Sequence, residues 1–216
     1  MAATSGDGVE LLATSLDHPA VNHRSAAAGD AHDDAQLVET ARDGNRAAFG
    51  RLYDRYARMV HGILLARVPL SEVDDLVQDV FLRALPRLHA LRDVARFGAW
   101  LATITRNRAH DYHRHTVEEV ELPEDLPGDP AQGKAASGID EDAQFLLAAI
   151  RALPETYREI LLLRLVEGMT GPEIAARTGL KHGSVRVNLH RGMQKLRERL
   201  ESVPRATQEE GQRNQG

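Results

Sequence analysis

Cysteine is absent from the chain, so disulfides and cysteine-ligated zinc sites are excluded. Aromatic residues make up only 4% of the sequence, whereas leucine, alanine and arginine are abundant, which favours helices packed on helices over sheets. No apolar run reaches the roughly 18 residues of a membrane-spanning helix, and the N-terminus lacks the features of a signal peptide. We therefore expect an all-α protein that has no membrane span and is located in the cytoplasm.

The net charge of −5 hides a strong segregation of acids and bases along the chain. Residues 1–35 carry six acids and one arginine, and residues 116–142 carry nine acids and one lysine. By contrast, residues 177–200 carry seven lysines or arginines and one glutamate, and residues 92–115 carry five arginines and two aspartates. Clusters of positive charge of this kind favour nucleic acid as a partner.

Helical periodicity occurs in two blocks, which predict two small helical domains joined by a flexible acidic linker. The first domain is expected over residues 36–115, and the shorter second domain over residues 143–202. Residues 116–142 contain three prolines and no repeat, as is typical of a linker. Its 27 residues would span on the order of 29 Å as a flexible coil and about 90 Å when extended. Residues 1–35 and 203–216 are predicted to be disordered.

Local signals place three long helices in the first domain. Asn45 is suited to cap a helix over residues 46–68, because its side-chain oxygen can accept a hydrogen bond from the first turn. The other two helices are predicted over residues 71–85 and 96–115. We interpret residues 86–95 between them as a basic loop that is too polar to enter the core.

The helix over residues 71–85 carries an unusual outward face. Ser71 and Asp74 form a capping box that would start the helix, and its apolar residues recur at three- and four-residue steps to face the core. The dipole of a helix favours acids near its N-terminal end. One interpretation of the outward face is therefore a solvated surface. A docking surface is the alternative. The residues of this outward face are Asp75, Gln78, Asp79 and Leu82.

The sequence of this helix supports the docking interpretation. Residues 74–84, Asp-Asp-Leu-Val-Gln-Asp-Val-Phe-Leu-Arg-Ala, resemble the polymerase-binding helix of the extracytoplasmic-function (ECF) group of sigma factors of bacterial RNA polymerase. The resemblance extends over residues 37–115 and 145–200. It implies that core RNA polymerase is bound by Asp75, Gln78, Asp79 and Leu82.

The helix over residues 96–115 resembles the element with which these sigma factors read the minus-ten promoter sequence. The resemblance implies that Asn107 and the loop at residues 88–96 hold a base flipped out of the opened strand. The amide and the basic groups present here fit the needs of a splayed base. Trp100 shares the inward stripe of the helix and is interpreted as core. The residues expected to contact the melted strand are Arg106, Asn107, Arg108, His110 and Arg114.

The second domain contains a helix-turn-helix pattern. Thr170 and Glu173 form a capping box for a short helix that ends before Gly179, and a longer helix runs over residues 182–200. The second helix of such a motif enters the major groove, where its N-terminal residues meet base edges. A three-helix core with a solvated basic face is the alternative interpretation. The residues expected to contact duplex DNA are Lys181, His182, Ser184, Arg186, Asn188 and Arg191.

The same segment resembles the sigma-factor domain that reads the minus-thirty-five promoter element, with two departures from the family pattern. Lys181 stands where the family usually has the serine that opens the recognition helix, and losing that cap costs about 1 kcal/mol. Arg186-Val187-Asn188 stands where the family favours Lys-Ser-Arg. We therefore expect one phosphate contact and the base preference to differ.

No pattern in the sequence indicates catalysis. We find no glycine-rich phosphate loop, nucleophile elbow or pair of acids placed for acid–base work, so no catalytic residue, cofactor or small-molecule substrate is expected. His110 and His113 share a helix face and are the basis of one alternative function, a metal-dependent hydrolase. His115 points elsewhere and no second cluster supplies further ligands, so no metal site is expected.

The patterns and the resemblance together predict a transcription initiation factor that is not an enzyme. It would bind core RNA polymerase, recognise promoter DNA and help to melt it. The resemblance also implies an anti-sigma factor as a further partner. The main alternative is a polymerase-independent helix-turn-helix regulator, whose N-terminal helices would mediate dimerisation on a palindromic operator.

Overall fold

The computed structural model of the chain describes residues 23–120 and 141–202, with side chains described over residues 33–114 and 142–202. These residues form eight α-helices and no strand, which confirms the all-α class. No described helix has both the length and the hydropathy that crossing a membrane requires. The helices are α1 (His23–Arg42), α2 (Arg46–Leu65), α3 (Val73–Ala84), α4 (Phe97–Val120), α5 (Glu141–Arg151), α6 (Glu155–Leu165), α7 (Gly171–Thr178) and α8 (His182–Ser202). Short 3₁₀ segments occupy Leu70–Glu72, Leu85–Ala90 and Val94–Arg96.

Helix α1 begins at His23, inside the segment for which the sequence predicts disorder. Its Asp34 is buried, pairs with Arg55 and accepts a hydrogen bond from Tyr56 Oη at 2.5 Å. Burial, and then the hydrogen bond to Asp34, raise the pKa of Tyr56 above its usual range. These contacts with α2 stabilise α1, and composition alone does not reveal them. Most of the predicted linker and the rest of the predicted disorder lie outside the described residues, at 1–22, 121–140 and 203–216.

Helix α2 is the centre of the first half. Asn45 caps it by accepting a hydrogen bond from the Ala48 amide at 3.0 Å, which confirms the predicted cap. The helix ends at Leu65, before the predicted end at residue 68. Its apolar side chains pack against α1, α3 and α4, so three helices of the first half share one core with it.

The predicted capping box at the start of α3 is wrong. Residues Leu70–Glu72 already turn as a 3₁₀ segment, and the helix begins at Val73 without a side-chain cap. The Ser71 hydroxyl lies 3.2 Å from a carboxylate oxygen of Glu72. An N-cap residue needs an extended backbone, which the 3₁₀ turn does not provide.

The segment at residues 86–95 also differs from its prediction, because part of it lies in the core. Leu88 is 1% exposed and Leu91 is buried as well. The 3₁₀ turn directs Leu88 inward, and Leu91 follows directly after the turn. The basic side chains of this segment face solvent, and they are Arg87, His89 and Arg92. Arg42 donates hydrogen bonds to the carbonyl oxygens of both leucines, so the buried backbone is satisfied.

Helices α7 and α8 form the helix-turn-helix, as predicted. The Thr170 hydroxyl accepts a hydrogen bond from the Glu173 amide at 3.3 Å, and the Glu173 carboxylate accepts one from the Thr170 amide at 2.8 Å. Gly179 follows α7 with a φ of +74°, a left-handed conformation that favours glycine. Val185 and Leu189 are buried on the inner face of α8, which packs against α6 and α7.

The two halves of the chain pack against each other, and we call this packing the closed arrangement. Helix α2 lies against α6, and α4 lies against α7. Gly98 allows this close approach, because a Cβ atom at this position would lie 2.5 Å from the carbonyl oxygen of Arg177 and 2.8 Å from Cε1 of Tyr56. Any larger residue here would push the halves apart.

Candidate nucleic-acid and protein interfaces

The outward face of α3 combines polar groups with an exposed apolar side chain. Asp75 and Gln78 are exposed, and Leu82 is 70% exposed. Leu85, just beyond the helix, and Tyr53 on α2 are further large hydrophobic residues that solvent reaches. Apolar surface rimmed by polar residues is typical of a protein interface.

Asp79 belongs to the same predicted set but also has partners within the chain. It accepts a hydrogen bond from Arg83 Nε at 3.0 Å and another from Arg108 on α4. Burial raises the pKa of the Asp79 carboxyl, but the two guanidinium groups outweigh burial and hold the pKa below its usual value. Asp79 is therefore ionised and ties α3 to α4.

The residues predicted for the melted strand occupy two different environments on α4. Asn107, His110 and Arg114 are exposed. Arg106 and Arg108 each pair with a carboxylate of another helix. The Asn107 amide and the side chains of His110 and Arg114 are therefore accessible. The other two arginines, Arg106 and Arg108, are held in ion pairs within the chain.

Two other side chains of α4 contact neighbouring groups of the first half. Trp100 is half-buried, and its ring centroid lies 5.7 Å from that of Phe97, which agrees with its interpretation as core. His113 Nε2 is hydrogen-bonded to the carbonyl oxygen of Arg67 at 2.7 Å. Within the described part of the chain, no three His, Asp or Glu side chains are grouped as metal ligands would be.

Glu159 of α6 is a buried acid that joins the two halves. Arg106 binds its carboxylate through two nitrogens, Nη2 at 2.7 Å and Nε at 3.2 Å, and Arg67 Nη2 lies 2.6 Å away. Burial raises the pKa of Glu159, but the two guanidinium groups outweigh burial and lower the pKa below its usual value. Arg106, a predicted contact of the melted strand, is thus held by a carboxylate in the closed arrangement.

Arginines of the second half also cover the C-terminal end of α2. Arg151 donates hydrogen bonds to the carbonyl oxygens of Leu65 at 3.0 Å and Val68 at 2.9 Å. Arg158 donates one to the carbonyl oxygen of Ala66 at 3.1 Å. The last carbonyl groups of a helix have no partners inside the helix, and cations at this end are favoured. The arginines of the second half therefore stabilise the C-terminal end of α2 in the first half.

A histidine contributes one more contact between the halves. His61 Nδ1 on α2 lies 2.6 Å from a carboxylate oxygen of Glu167, which is buried. The hydrogen bond to Glu167 raises the pKa of His61 more than burial lowers it, and the charges of Glu167 and Asp74 raise it further. Protonated His61 therefore stabilises the closed arrangement.

The outer face of α8 carries most of the predicted duplex contacts. Lys181 precedes the helix, and its carbonyl oxygen accepts the first helical hydrogen bond, from the Val185 amide at 3.0 Å. Asn188 is half-buried, which limits its reach toward DNA. The exposed members of the predicted set are Lys181, His182, Ser184, Arg186 and Arg191.

Val187 is absent from the predicted contacts, yet it is 45% exposed on the same face of α8. The helical spacing of the sequence is sufficient to place Val187 on the outer face. Val187 lies two residues from both Val185 and Leu189, which are buried, so a helix of 3.6 residues per turn places it about half a turn from each. The side chain therefore points away from the core.

The chain matches two family models, and these cover both halves. Residues 52–117 match the model described as Sigma-70 region 2, and residues 145–196 match the model described as Sigma-70, region 4. Every residue predicted to contact polymerase or DNA lies inside one of these two ranges.

Individual proteins of known type are similar over most of the chain. The chain is 35% identical over 166 residues to RNA polymerase sigma factor CarQ of Myxococcus xanthus, which covers 76% of this chain and 95% of CarQ. It is 32% identical over 184 residues to ECF RNA polymerase sigma factor BldN of Streptomyces coelicolor, which covers 81% of this chain and 69% of BldN. Among solved structures, CnrH in complex with the cytosolic domain of CnrY is similar with a TM-score of 0.54 and 28% identity, over 78% of this chain and 97% of that chain.

Proposed function

The chain belongs to the extracytoplasmic-function group of RNA polymerase sigma factors. We propose that three of its surfaces bind the polymerase and the two promoter elements. As a sigma factor, it binds core RNA polymerase and directs it to promoter DNA. We assign polymerase docking to the outward face of α3, the melted strand to the polar face of α4, and the duplex element to α8. Sigma factors are generally not catalytic, and we assign RNA synthesis to the polymerase. Because bacterial RNA polymerase works in the cytoplasm, we propose that the protein is located there as well.

The docking assignment is supported mainly by the exposure of Leu82 beside Asp75 and Gln78, within the range that matches Sigma-70 region 2. An apolar side chain that is 70% exposed on an otherwise polar helix face contributes little to the stability of the free chain. It can contribute to binding, because burying a leucine stabilises a complex by roughly 1.5–3 kcal/mol.

We further propose that the closed arrangement is a resting state. Two domains that read promoter elements nearly two helical turns apart must lie on the order of 60–70 Å from each other. Arg106 cannot bind a DNA strand while Glu159 holds its guanidinium group. Engagement of both promoter elements therefore requires the halves to separate.

A protein partner is also part of the proposal. CnrH, a protein of similar fold, is known in a complex with the cytosolic domain of CnrY. We propose that this chain is likewise bound by a regulatory protein, an anti-sigma factor, which competes with the polymerase.

The docking assignment is tested by a pull-down of core RNA polymerase with the full-length chain. The double variant Asp75→Arg, Leu82→Asp should lose polymerase binding and keep its helical circular dichroism, because both side chains are exposed. Asp43→Arg, which reverses an exposed charge in the turn after α1, is the matched control and should bind normally. Normal binding by the double variant would overturn the assignment. A wild-type chain that ignores polymerase but shifts DNA as a dimer would favour the helix-turn-helix regulator.

A further inference from the structure

Val187 is an apolar residue on the outer face of α8, whose other exposed side chains are polar or charged. Six large hydrophobic side chains are exposed among the described residues, and Val187 is the one that lies on α8. Its neighbours one turn away on the helix surface are Ser184 and Arg191, and both are exposed. A valine here forms no hydrogen bond with a phosphate, so the electrostatic part of DNA binding does not explain it.

The space around Val187 allows close approach of a ligand. A Cβ atom built on Gly183, four residues earlier in the same helix, would meet no atom of another part of the structure within 4 Å. The outer surface is therefore open on the N-terminal side of Val187, where a recognition helix meets base edges. Lys181, just before the helix, and Arg186 and Arg191 on it are exposed cations, which favour a polyanion as the ligand of this surface.

The major groove offers one apolar group, the 5-methyl group of thymine. We propose that Val187 contacts this methyl group in the duplex element that α8 reads, and that Val187 thereby determines specificity for thymine at one position. The inference rests on the assignment of α8 to duplex DNA. Arg186 and Arg191 supply affinity, whereas Val187 distinguishes a base that carries a methyl group from one that does not.

The test uses the full-length chain assembled with core polymerase. A promoter library randomised in the duplex element identifies the selected sequence, and each thymine in it is then replaced singly by deoxyuridine, which lacks only the methyl group. Wild-type holoenzyme should bind about fourfold more weakly at one such position, because a buried methyl group contributes about 0.8 kcal/mol. Val187→Ala should bind thymine and deoxyuridine equally at that position.

Two control variants separate this contact from general effects. Val166→Ala shortens a valine that is 49% exposed outside α8, and it should keep the wild-type preference for thymine. Arg186→Ala should weaken binding to both bases in the same ratio. The proposal is overturned if no thymine position responds to loss of its methyl group, or if Val187→Ala keeps the response. In either case a selected element still supports α8 as the reader, whereas a library that yields no element overturns the function assigned to α8.

Discussion

The two surfaces assigned to DNA differ in what they contact in the closed arrangement. On α8, Arg186 and Arg191 are exposed, and the apolar side of the helix packs on α6 and α7. On α4, Arg106 and Arg108 hold Glu159 and Asp79. Similar side chains are thus exposed on one helix and engaged in ion pairs within the chain on the other. The surface that we assign to duplex DNA is exposed in the closed arrangement, whereas Arg106 on the surface that we assign to the melted strand is held by Glu159 of the other half.

From this difference we propose an order of events at a promoter. The chain can present α8 to duplex DNA without any change between its halves. It cannot present Arg106 until Glu159 is displaced, and a polyanion such as the DNA strand is suited to displace a carboxylate. Binding of the melted strand and opening of the closed arrangement are therefore expected to be coupled.

The largest effect is expected from removing the acid that holds Arg106. Glu159→Gln leaves two guanidinium groups without their carboxylate, and we expect a loss of about 3 kcal/mol in the free energy of unfolding. Urea denaturation of the full-length chain measures this loss.

Glu155→Gln is the matched control for that variant. Glu155 lies one turn before Glu159 on α6 and also pairs with Arg67, at 2.7 Å, but its side chain is 67% exposed. An exposed ion pair contributes at most about 1 kcal/mol, so this variant should unfold almost like wild type. Equal losses for the two variants would contradict the role of Glu159.

Gly98→Ala should separate the halves without changing any charge. The added Cβ atom would lie 2.5 Å from the Arg177 carbonyl oxygen, so we expect overpacking to cost about 2 kcal/mol. Small-angle scattering should show a larger radius of gyration. Gly50→Ala is the control, because a Cβ atom at Gly50 meets nothing within 4 Å, and it should keep the wild-type radius.

Two neighbouring side chains of α8 should differ in their contribution to duplex binding. Arg186→Ala should weaken binding of the selected duplex by about 1.5 kcal/mol, or roughly tenfold, if the side chain contacts a base. Asn188→Ala should have a smaller effect, because Asn188 is half-buried. Fluorescence anisotropy with holoenzyme measures both affinities. Equal weakening of Arg186→Ala on all sequences would identify a phosphate contact instead.

The smallest expected effect is a dependence of the closed arrangement on pH. The pKa of His61 is raised by Glu167, so its contribution to stability is complete below the ordinary pKa of 6.5 and is lost as the pH rises through the raised value. The pKa of Glu159 is lowered, so its contribution is present above 4.5 and is lost in acid. Raising the pH from about 6 to 9 should therefore loosen the closed arrangement slightly, and His61→Asn should remove this dependence. A His61→Asn chain with the same pH profile as wild type would contradict the contact.

Most local features of the fold could be predicted from the sequence, because they depend on neighbouring residues, although the predicted cap at Ser71 is wrong. Asn45 and the pair Thr170 and Glu173 cap their helices as expected, and the periodicity that predicts the stripe of α8 also locates Val187. The contacts between the halves could not be predicted in this way. Arg106 and Glu159 are 53 residues apart in the chain, and each has the pattern of a solvated charge.

Distance measurement between the halves tests the resting-state proposal most directly. Because the chain contains no cysteine, Asp43→Cys and Glu201→Cys allow two dyes to be attached, one on each half, at exposed positions. Energy transfer in the free chain should report one short distance, which should increase when core polymerase and promoter DNA are both added. Glu159→Gln should lengthen the distance in the free chain. An unchanged distance in the promoter complex would contradict the proposal that the halves separate to expose Arg106.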